Sequence, residues 1–183
     1  IINHGYAYPI CSPTRAALMT GKNPLSFGID GPMENDAMLP IEETIMPERF
    51  QQAGYTTWMV GKWHLGMAKQ AVMPHNRGFD DFYGFLGGFV DYYTHVYFGG
   101  LDWQHNGKSV REEGHVTELL TQKAFEHLTG YQGEQPFFMY LAYSAPHTPL
   151  QYVPDANVDY SHIDNADRRV FAEMTTDVDV HIG

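Results

Sequence analysis

Residues 54–66 read Gly-Tyr-Thr-Thr-Trp-Met-Val-Gly-Lys-Trp-His-Leu-Gly, and this stretch decides the fold. Residues 55–60 are β-branched or aromatic for the most part, which is typical of a buried strand. The strand is predicted to end at the glycine that follows, so Lys62 and His64 come directly after it. Side chains with proton-carrying or anion-binding chemistry right after a buried strand indicate a functional loop.

A second buried strand is predicted over residues 137–143, Phe-Phe-Met-Tyr-Leu-Ala-Tyr, and it leads into a turn that carries His147. Predicted helices alternate with the two strands, an order typical of α/β proteins with parallel strands. Such sheets form their sites outside the carboxyl ends of the strands. We therefore expect Lys62, His64 and His147 to meet at one edge of the sheet.

Four helices are predicted around these strands. They cover residues 13–20, residues 44–53, residues 116–129 and the chain from about Asp164 onward. Ser12 is a good N-cap for the first helix, Pro13 suits its first turn, and Gly21 suits its end. Residues 66–115 are expected to form long loops with room for short strands. No repeat or linker divides the chain, so we predict one unit over residues 1–183.

The composition excludes several classes of partner. Of the 183 residues, 43% are hydrophobic and 14% aromatic, which is enough for a packed core. The formal net charge of −11 argues against a general nucleic-acid surface or an anionic membrane partner. No stretch approaches the roughly 20 apolar residues of a membrane-spanning helix. The single cysteine, Cys11, excludes an internal disulfide.

Cys11 lies just before the first predicted helix, in the sequence Pro-Ile-Cys-Ser-Pro-Thr-Arg of residues 9–15. The helix dipole and the unpaired backbone N–H groups there favour anionic chemistry. With Arg15, Lys62, His64 and His147 it makes a set suited to transfer of an oxyanion group, because cations hold the anion and histidines move protons. Each residue alone also has a plainer interpretation, as a buried thiol, a surface charge or a core histidine. A Cys-based phosphatase is disfavoured, since such enzymes space their cysteine and arginine more widely.

Two segments resemble the sulfatase family of the alkaline-phosphatase-like superfamily. Residues 11–21 are similar to the family's modification signature, and residues 54–66 are similar to its second signature. Weaker similarity continues, in the family's order, through residues 77–80, 91–95 and 145–150. The later segments look most like the arylsulfatase B type, the N-acetylgalactosamine-4-sulfatases. The resemblance implies an α/β fold whose mixed sheet is flanked by helices.

The resemblance implies that a formylglycine-generating enzyme oxidises Cys11 to Cα-formylglycine and recognises Pro13 and Arg15. One hydroxyl of the hydrated aldehyde would attack the sulfur of a sulfated carbohydrate or aryl sulfate, the alcohol would leave, and the other hydroxyl would expel sulfate. The implied roles are stabilisation of the formylglycine by Arg15, sulfate binding by Lys62, removal of the diol proton by His64, protonation of the leaving oxygen by His147, and sulfate contact by Thr94 or His95.

The resemblance also implies a divalent ion, usually calcium, which requires hard oxygen ligands. The family's aspartate pair on the first strand and its later Asp-Asn or Asp-His pair cannot be placed in this sequence. Formylglycine at Cys11 is therefore the one ligand we expect here, and Asp80 and Asp81 are assigned no ligand role. We expect a single partial catalytic domain, internal to a longer sulfatase and lacking the first strand and the C-terminal part. Lysosomal, extracellular or periplasmic location is expected, as for most of the family.

Three functions stay open at this point. The leading one is hydrolysis of carbohydrate sulfate esters. The alternatives are a phosphoester or phosphonate hydrolase of the same superfamily and a non-catalytic sulfatase-like fragment. The Tyr and Phe run within residues 79–98 fits a sugar-stacking surface, although packing inside the protein is the more common outcome for such residues.

Overall fold

The computed structural model describes residues 4–34, 36–153 and 158–183. The strands of these ranges are β1 (Thr56–Lys62), β2 (Asp81–Phe85), β3 (Val96–Tyr97), β4 (Gly100–Leu101), β5 (Gln104–His105), β6 (Lys108–Ser109) and β7 (Phe137–Ala142). The α-helices are α1 (Cys11–Thr20), α2 (Met46–Gln52), α3 (Val116–Gly130) and α4 (Ala166–Ile182). In these same ranges, no helix has both the length and the apolar content to cross a membrane.

The main sheet has the strand order β6-β5-β2-β1-β7. Its three long strands are parallel, and Trp58 of β1 is aligned with Asp81 of β2 on one side and Met139 of β7 on the other. Strands β5 and β6 are antiparallel, so the sheet is mixed. Because β1, β2 and β7 are parallel, their carboxyl ends lie at one edge of the sheet.

Helices cover both faces of this sheet. Successive side chains of a strand point to opposite faces, and accordingly Met59 packs in one hydrophobic cluster and Val60 in another. The first cluster includes Met19 of α1, while the second includes Leu120 of α3 and Met174 of α4. The two clusters hold the helices on the sheet and so set the position of α1 relative to the strand ends.

The first helix begins differently from the prediction. Cys11 is its first residue, Ile10 is the N-cap, and no side chain caps the helix, so the expectation that Ser12 is the N-cap is wrong. The hydroxyl of Ser12 makes tertiary hydrogen bonds instead, and these outcompete local capping. Gly21 ends the helix as predicted, with a φ of 69° and its N–H bonded to the Ala17 carbonyl.

The strand predictions need one correction, and one of the short strands allowed for within residues 66–115 proves to be a buried strand of the main sheet. Strand β1 continues through Lys62, so this lysine is the last residue of the strand and does not follow it. Strand β2 lies inside residues 66–115, where the sequence predicts mainly loops. Most of β2 is buried, and it therefore lacks the alternation of apolar and polar residues by which a half-exposed strand is recognised.

Candidate active site

Cys11 opens helix α1, and its side chain is partly buried. The first intrahelical hydrogen bond there runs from the Thr14 N–H to the Ile10 carbonyl at 3.2 Å. The N–H groups before it have no partner within the helix, and the helix dipole adds to their positive potential. An oxygen that carries or develops negative charge at this side chain is therefore stabilised.

Ser12 fixes the start of α1 against two other segments. Its buried Oγ donates to the His64 carbonyl at 3.0 Å and accepts from the Met33 N–H at 3.0 Å. His64 follows β1, so this hydroxyl ties the first turn of the helix to the carboxyl end of the central strand. The position of Cys11 relative to His64 depends on these two hydrogen bonds.

Arg15 makes a second tie, one turn further along α1. Its Nη1 donates to the Lys62 carbonyl at 2.5 Å and to the Tyr140 hydroxyl at 3.1 Å. The guanidinium thus joins the helix to the end of β1 and to β7. Its positive charge also lies close enough to Lys62 and His64 to lower the pKa of each.

Lys62 is a buried cation, with 2% of its surface exposed. Burial, followed by the positive charge of Arg15, lowers its pKa to about 8, and the nearby Cys11 side chain acts in the opposite direction. Among the described residues, no carboxylate lies within ion-pair distance of its amine. A buried ammonium group without a counter-ion favours the binding of an anion.

His64 has the arrangement of a general base. Its Nε2 lies 3.0 Å from the Met33 carbonyl, which only accepts hydrogen bonds, so Nε2 carries the proton of the neutral ring. The buried Nδ1 has no hydrogen-bond partner in the part of the chain that the structure describes. Burial, and then the charges of Lys62 and Arg15, lower the pKa of His64 to about 3. At neutral pH the ring is therefore uncharged, with a free lone pair on Nδ1.

The segment that holds His64 in place follows the end of β2, and its role was not predicted from the sequence. The His64 N–H donates to the Leu86 carbonyl at 3.1 Å. The imidazole lies against Gly88 so closely that a Cβ there would come within 2.7 Å of Cε1. Buried Asp102 accepts the N–H groups of Leu86 and Gly87, at 3.1 and 2.7 Å, which fixes the whole turn. The one sequence signal was the pair of adjacent glycines after an aromatic stretch.

His147 follows β7 in a turn closed by its own N–H, which donates to the Ser144 carbonyl at 3.0 Å. Its Nδ1 lies 2.8 Å from the Thr148 carbonyl, which leaves Nε2 free for a ligand. The ring is stacked nearly parallel to Phe89, with 6.0 Å between centroids. His147 is near enough to His64 to contribute, after burial and the charges of Lys62 and Arg15, to the lowered pKa of His64.

The structure brings together five of the seven predicted site residues. Cys11, Arg15, Lys62, His64 and His147 meet at the shared strand edge, and their individual roles stay predictions. His95 is 1% exposed, stacks on Trp103 at 4.6 Å and has its Nε2 3.1 Å from the Gly114 carbonyl. Thr94 is exposed in a neighbouring turn, where its N–H donates to Asp91. None of these contacts of His95 and Thr94 is with the other five residues. The sulfate-binding role of Thr94 or His95 also stays a prediction.

The charges at this edge fit an anion and do not fit a metal ion. Within residues 4–34, 36–153 and 158–183, no group of three or more His, Cys, Asp or Glu side chains is placed to hold a metal. The groups whose charges shift the pKa values of Lys62 and His64 are other cations, histidine and Cys11, with no carboxylate among them. These residues alone provide no calcium site.

Comparisons with known proteins find relatives along the whole chain. The Sulfatase family model matches residues 1–183. Arylsulfatase J of Mus musculus is 35% identical over 185 residues, which cover 95% of this chain and 31% of that protein. N-acetylgalactosamine-6-sulfatase of Mus musculus is 34% identical over 167 residues, which cover 79% of this chain and 32% of that protein. This chain thus spans about a third of the length of these relatives.

A solved structure shares the fold described above. The crystal structure of Ps i-CgsB in complex with k-i-k-neocarrahexaose matches with a TM-score of 0.88 and 33% sequence identity, over 96% of this chain and 43% of that one. The predicted fold class, an α/β fold with a mixed sheet flanked by helices, is confirmed. The finer arylsulfatase B type stays a prediction.

Proposed function

Because this chain belongs to the sulfatase family, as its resemblance predicts, we propose that the protein hydrolyses sulfate esters of carbohydrates through a formylglycine made from Cys11. Residues 1–183 would form part of one catalytic domain. The observation that carries the proposal is Lys62, a buried amine beside Arg15 and Cys11 for which the described residues offer no carboxylate partner. A sulfate group supplies the missing negative charge.

The proposed reaction begins with sulfate bound to the Lys62 ammonium group. One hydroxyl of the hydrated formylglycine attacks sulfur, and His64 Nδ1 accepts its proton, a role supported by the free lone pair on that nitrogen. As the new O–S bond forms, the S–O bond of the ester breaks. His147, in its doubly protonated form, gives the proton on Nε2 to the leaving oxygen, which departs as the alcohol.

The second half of the reaction restores the aldehyde. The remaining hydroxyl of formylglycine gives its proton to His147, which lost one in the first half, while its C=O bond reforms and the C–O bond to the sulfate group breaks; His64 returns its proton to solvent. Sulfate is released and water hydrates the aldehyde again. Calcium, which the family generally uses, finds no ligand set among the described residues beyond an oxygen of formylglycine, and no step above depends on it.

The proposed substrates and partners follow from the relatives. The carbohydrate in the Ps i-CgsB complex suggests sulfated saccharides as the first substrates to try. Aryl sulfates are a second class, since arylsulfatase J is among the relatives. We propose a formylglycine-generating enzyme as the modifying partner, and a lysosomal, extracellular or periplasmic location.

Mass spectrometry of the peptide that contains Cys11 tests the nucleophile. In full-length protein from its natural host, we expect the thiol to be replaced by an aldehyde, a mass change equal to the loss of SH2 and gain of O. An unmodified thiol would refute the formylglycine mechanism. It would leave the fold and the family assignment intact.

Activity assays of the modified full-length protein test the reaction. We expect turnover of k-i-k-neocarrahexaose, N-acetylgalactosamine 6-sulfate or 4-nitrophenyl sulfate, and a loss of roughly 100-fold or more in kcat/KM when Lys62→Met removes the charge. Lys108→Met, on exposed strand β6, is the matched control and should retain wild-type kcat/KM. Much faster turnover of 4-nitrophenyl phosphate would favour the phosphoester hydrolase, and no turnover of any ester would favour a non-catalytic protein.

A further inference from the structure

The short hairpin of β3 and β4 carries an exposed aromatic residue at its tip. Val96 pairs with Leu101 and Tyr97 with Gly100, which leaves Phe98 and Gly99 as the turn. Both turn residues have positive φ, 43° and 85°. Turns of this kind favour Asn or Gly at the first position, and a bulky residue there is strained by about 1–3 kcal/mol. Phe98 is nevertheless 78% exposed, so its ring gains little from packing in return.

The tip of the hairpin is continuous with the candidate active site. Phe98 meets Phe89 at 5.5 Å and Tyr97 at 4.7 Å between ring centroids. Phe89 in turn stacks on His147. These three rings, which we call the aromatic platform, pack edge to face on one another and lead from the exposed Phe98 to the histidine proposed to protonate the leaving oxygen.

The platform is also anchored to the turn that holds His64. Burial, and then the charge of Glu34, raise the pKa of the Tyr97 phenol, while the adjacent backbone of Gly88 acts in the opposite direction. A Cβ on Gly87 would come within 3.0 Å of the Tyr97 ring. The hairpin is therefore held at the site and does not project freely from the surface.

The position of the platform indicates which part of a substrate it contacts. His147 lies on the leaving-group side of the proposed reaction, and the leaving group of a carbohydrate sulfate is the sugar. Phe98 is the exposed ring of the three and offers no hydrogen bonds, so it binds through the flat face of its ring, which is electron-rich and attracts the C–H groups of a sugar face. The sulfate is held elsewhere, by the buried Lys62.

We propose that the aromatic platform of Phe89, Tyr97 and Phe98 is a saccharide-binding subsite, on which a sugar ring of the substrate stacks beside His147. This inference rests on the proposed function, because it takes the direction of the leaving group from it. The platform adds affinity for the saccharide and contributes nothing to the binding of inorganic sulfate.

Binding measurements on a variant without turnover test the platform separately from activity. In full-length protein with Cys11→Ser, titration calorimetry gives the Kd of k-i-k-neocarrahexaose and of inorganic sulfate. Adding Phe98→Asn removes the ring and keeps a residue that tolerates positive φ. We expect the saccharide Kd to rise roughly 3- to 10-fold, the range for one aromatic stacking contact, with the sulfate Kd unchanged.

Two further variants control for folding and for exposure. Phe98→Tyr keeps the ring in the same strained turn and should restore the original saccharide Kd. Phe125→Ala removes another exposed phenylalanine, 65% exposed on α3, and should change neither Kd. An unchanged saccharide Kd in Phe98→Asn overturns the subsite. If 4-nitrophenyl sulfate, titrated in the same way, is the one ligand whose Kd rises, the rings form an aryl-binding surface and the subsite is also overturned. Turnover by the wild-type protein is measured in parallel. A lack of turnover would refute the proposed function, whereas the subsite is judged from the saccharide Kd alone.

Discussion

Gly88→Ala tests whether the position of the His64 ring matters for activity. An added Cβ would lie 2.7 Å from Cε1 and 2.9 Å from Nε2 of His64, whereas ordinary contact begins at 3.4 Å. The ring must therefore move by about 0.7 Å, the difference between 3.4 and 2.7 Å. Because Gly88 has no left-handed φ, the alanine backbone itself is unstrained.

The size of the effect follows from this displacement. Overpacking of a filled site costs about 1–3 kcal/mol of folding free energy. The shift also disturbs the hydrogen bond from Nε2 to the Met33 carbonyl, which holds the ring with Nδ1 free. A misplacement near 1 Å lowers catalytic rates by as much as about 100-fold. We expect kcat/KM of Gly88→Ala to fall between about 10- and 100-fold, mostly through kcat.

The assay combines steady-state kinetics on 4-nitrophenyl sulfate with chemical denaturation. Gly130→Ala is the matched control, because a Cβ at this last residue of α3 meets nothing within 4 Å. That variant should keep wild-type kinetics and gain up to about 1 kcal/mol of stability from the better helix former. A Gly88→Ala enzyme with kcat/KM within about twofold of wild type would refute the role of His64 placement.

Three other predictions concern residues around the same edge. Ser12→Ala leaves the buried Met33 N–H without its acceptor, so chemical denaturation should show a free energy of unfolding about 1–3 kcal/mol lower than that of the wild type. A variant as stable as the wild type would contradict the role of this hydrogen bond. Asp102→Asn replaces one of two accepting oxygens by a donor facing backbone N–H groups, and kcat should fall together with stability; a stable, fully active variant would argue against this anchor. The pKa of Lys62 is lowered to about 8, so this lysine loses its charge at a lower pH than a surface lysine does. We therefore expect kcat/KM to decline above about pH 8. Lys62→Arg should abolish this alkaline decline, and a plateau up to about pH 10 in the wild type would refute it.

The sequence predicted those elements whose local pattern agrees with their surroundings. Strands β1 and β7 are runs of β-branched and aromatic residues, and α3 begins at Val116 as its apolar spacing indicates. The meeting of Lys62, His64 and His147 followed from the rule for parallel strands and needed no knowledge of side-chain contacts.

The remaining features depend on contacts between distant segments. The hydroxyl of Ser12 could cap a helix or bond elsewhere, and only the docking of α1 onto β1 selects the second. Strand β2 has a glycine at position 84 and a buried environment, both of which conceal a strand from pattern analysis. Asp102 and Gly88 act on His64 through space, across gaps in sequence that no local pattern reports.

The burial of the first turn of α1 has a consequence for the proposed modification of Cys11. Ser12 and Pro13 are buried, and Arg15 is bonded to Lys62 and Tyr140, so the folded protein hides the residues by which a modifying enzyme would recognise Cys11. In the proposed function, conversion to formylglycine would then have to precede the docking of α1 on the sheet. Slow folding would lengthen the time available for this modification, and fast folding would trap a share of the molecules with an unconverted thiol.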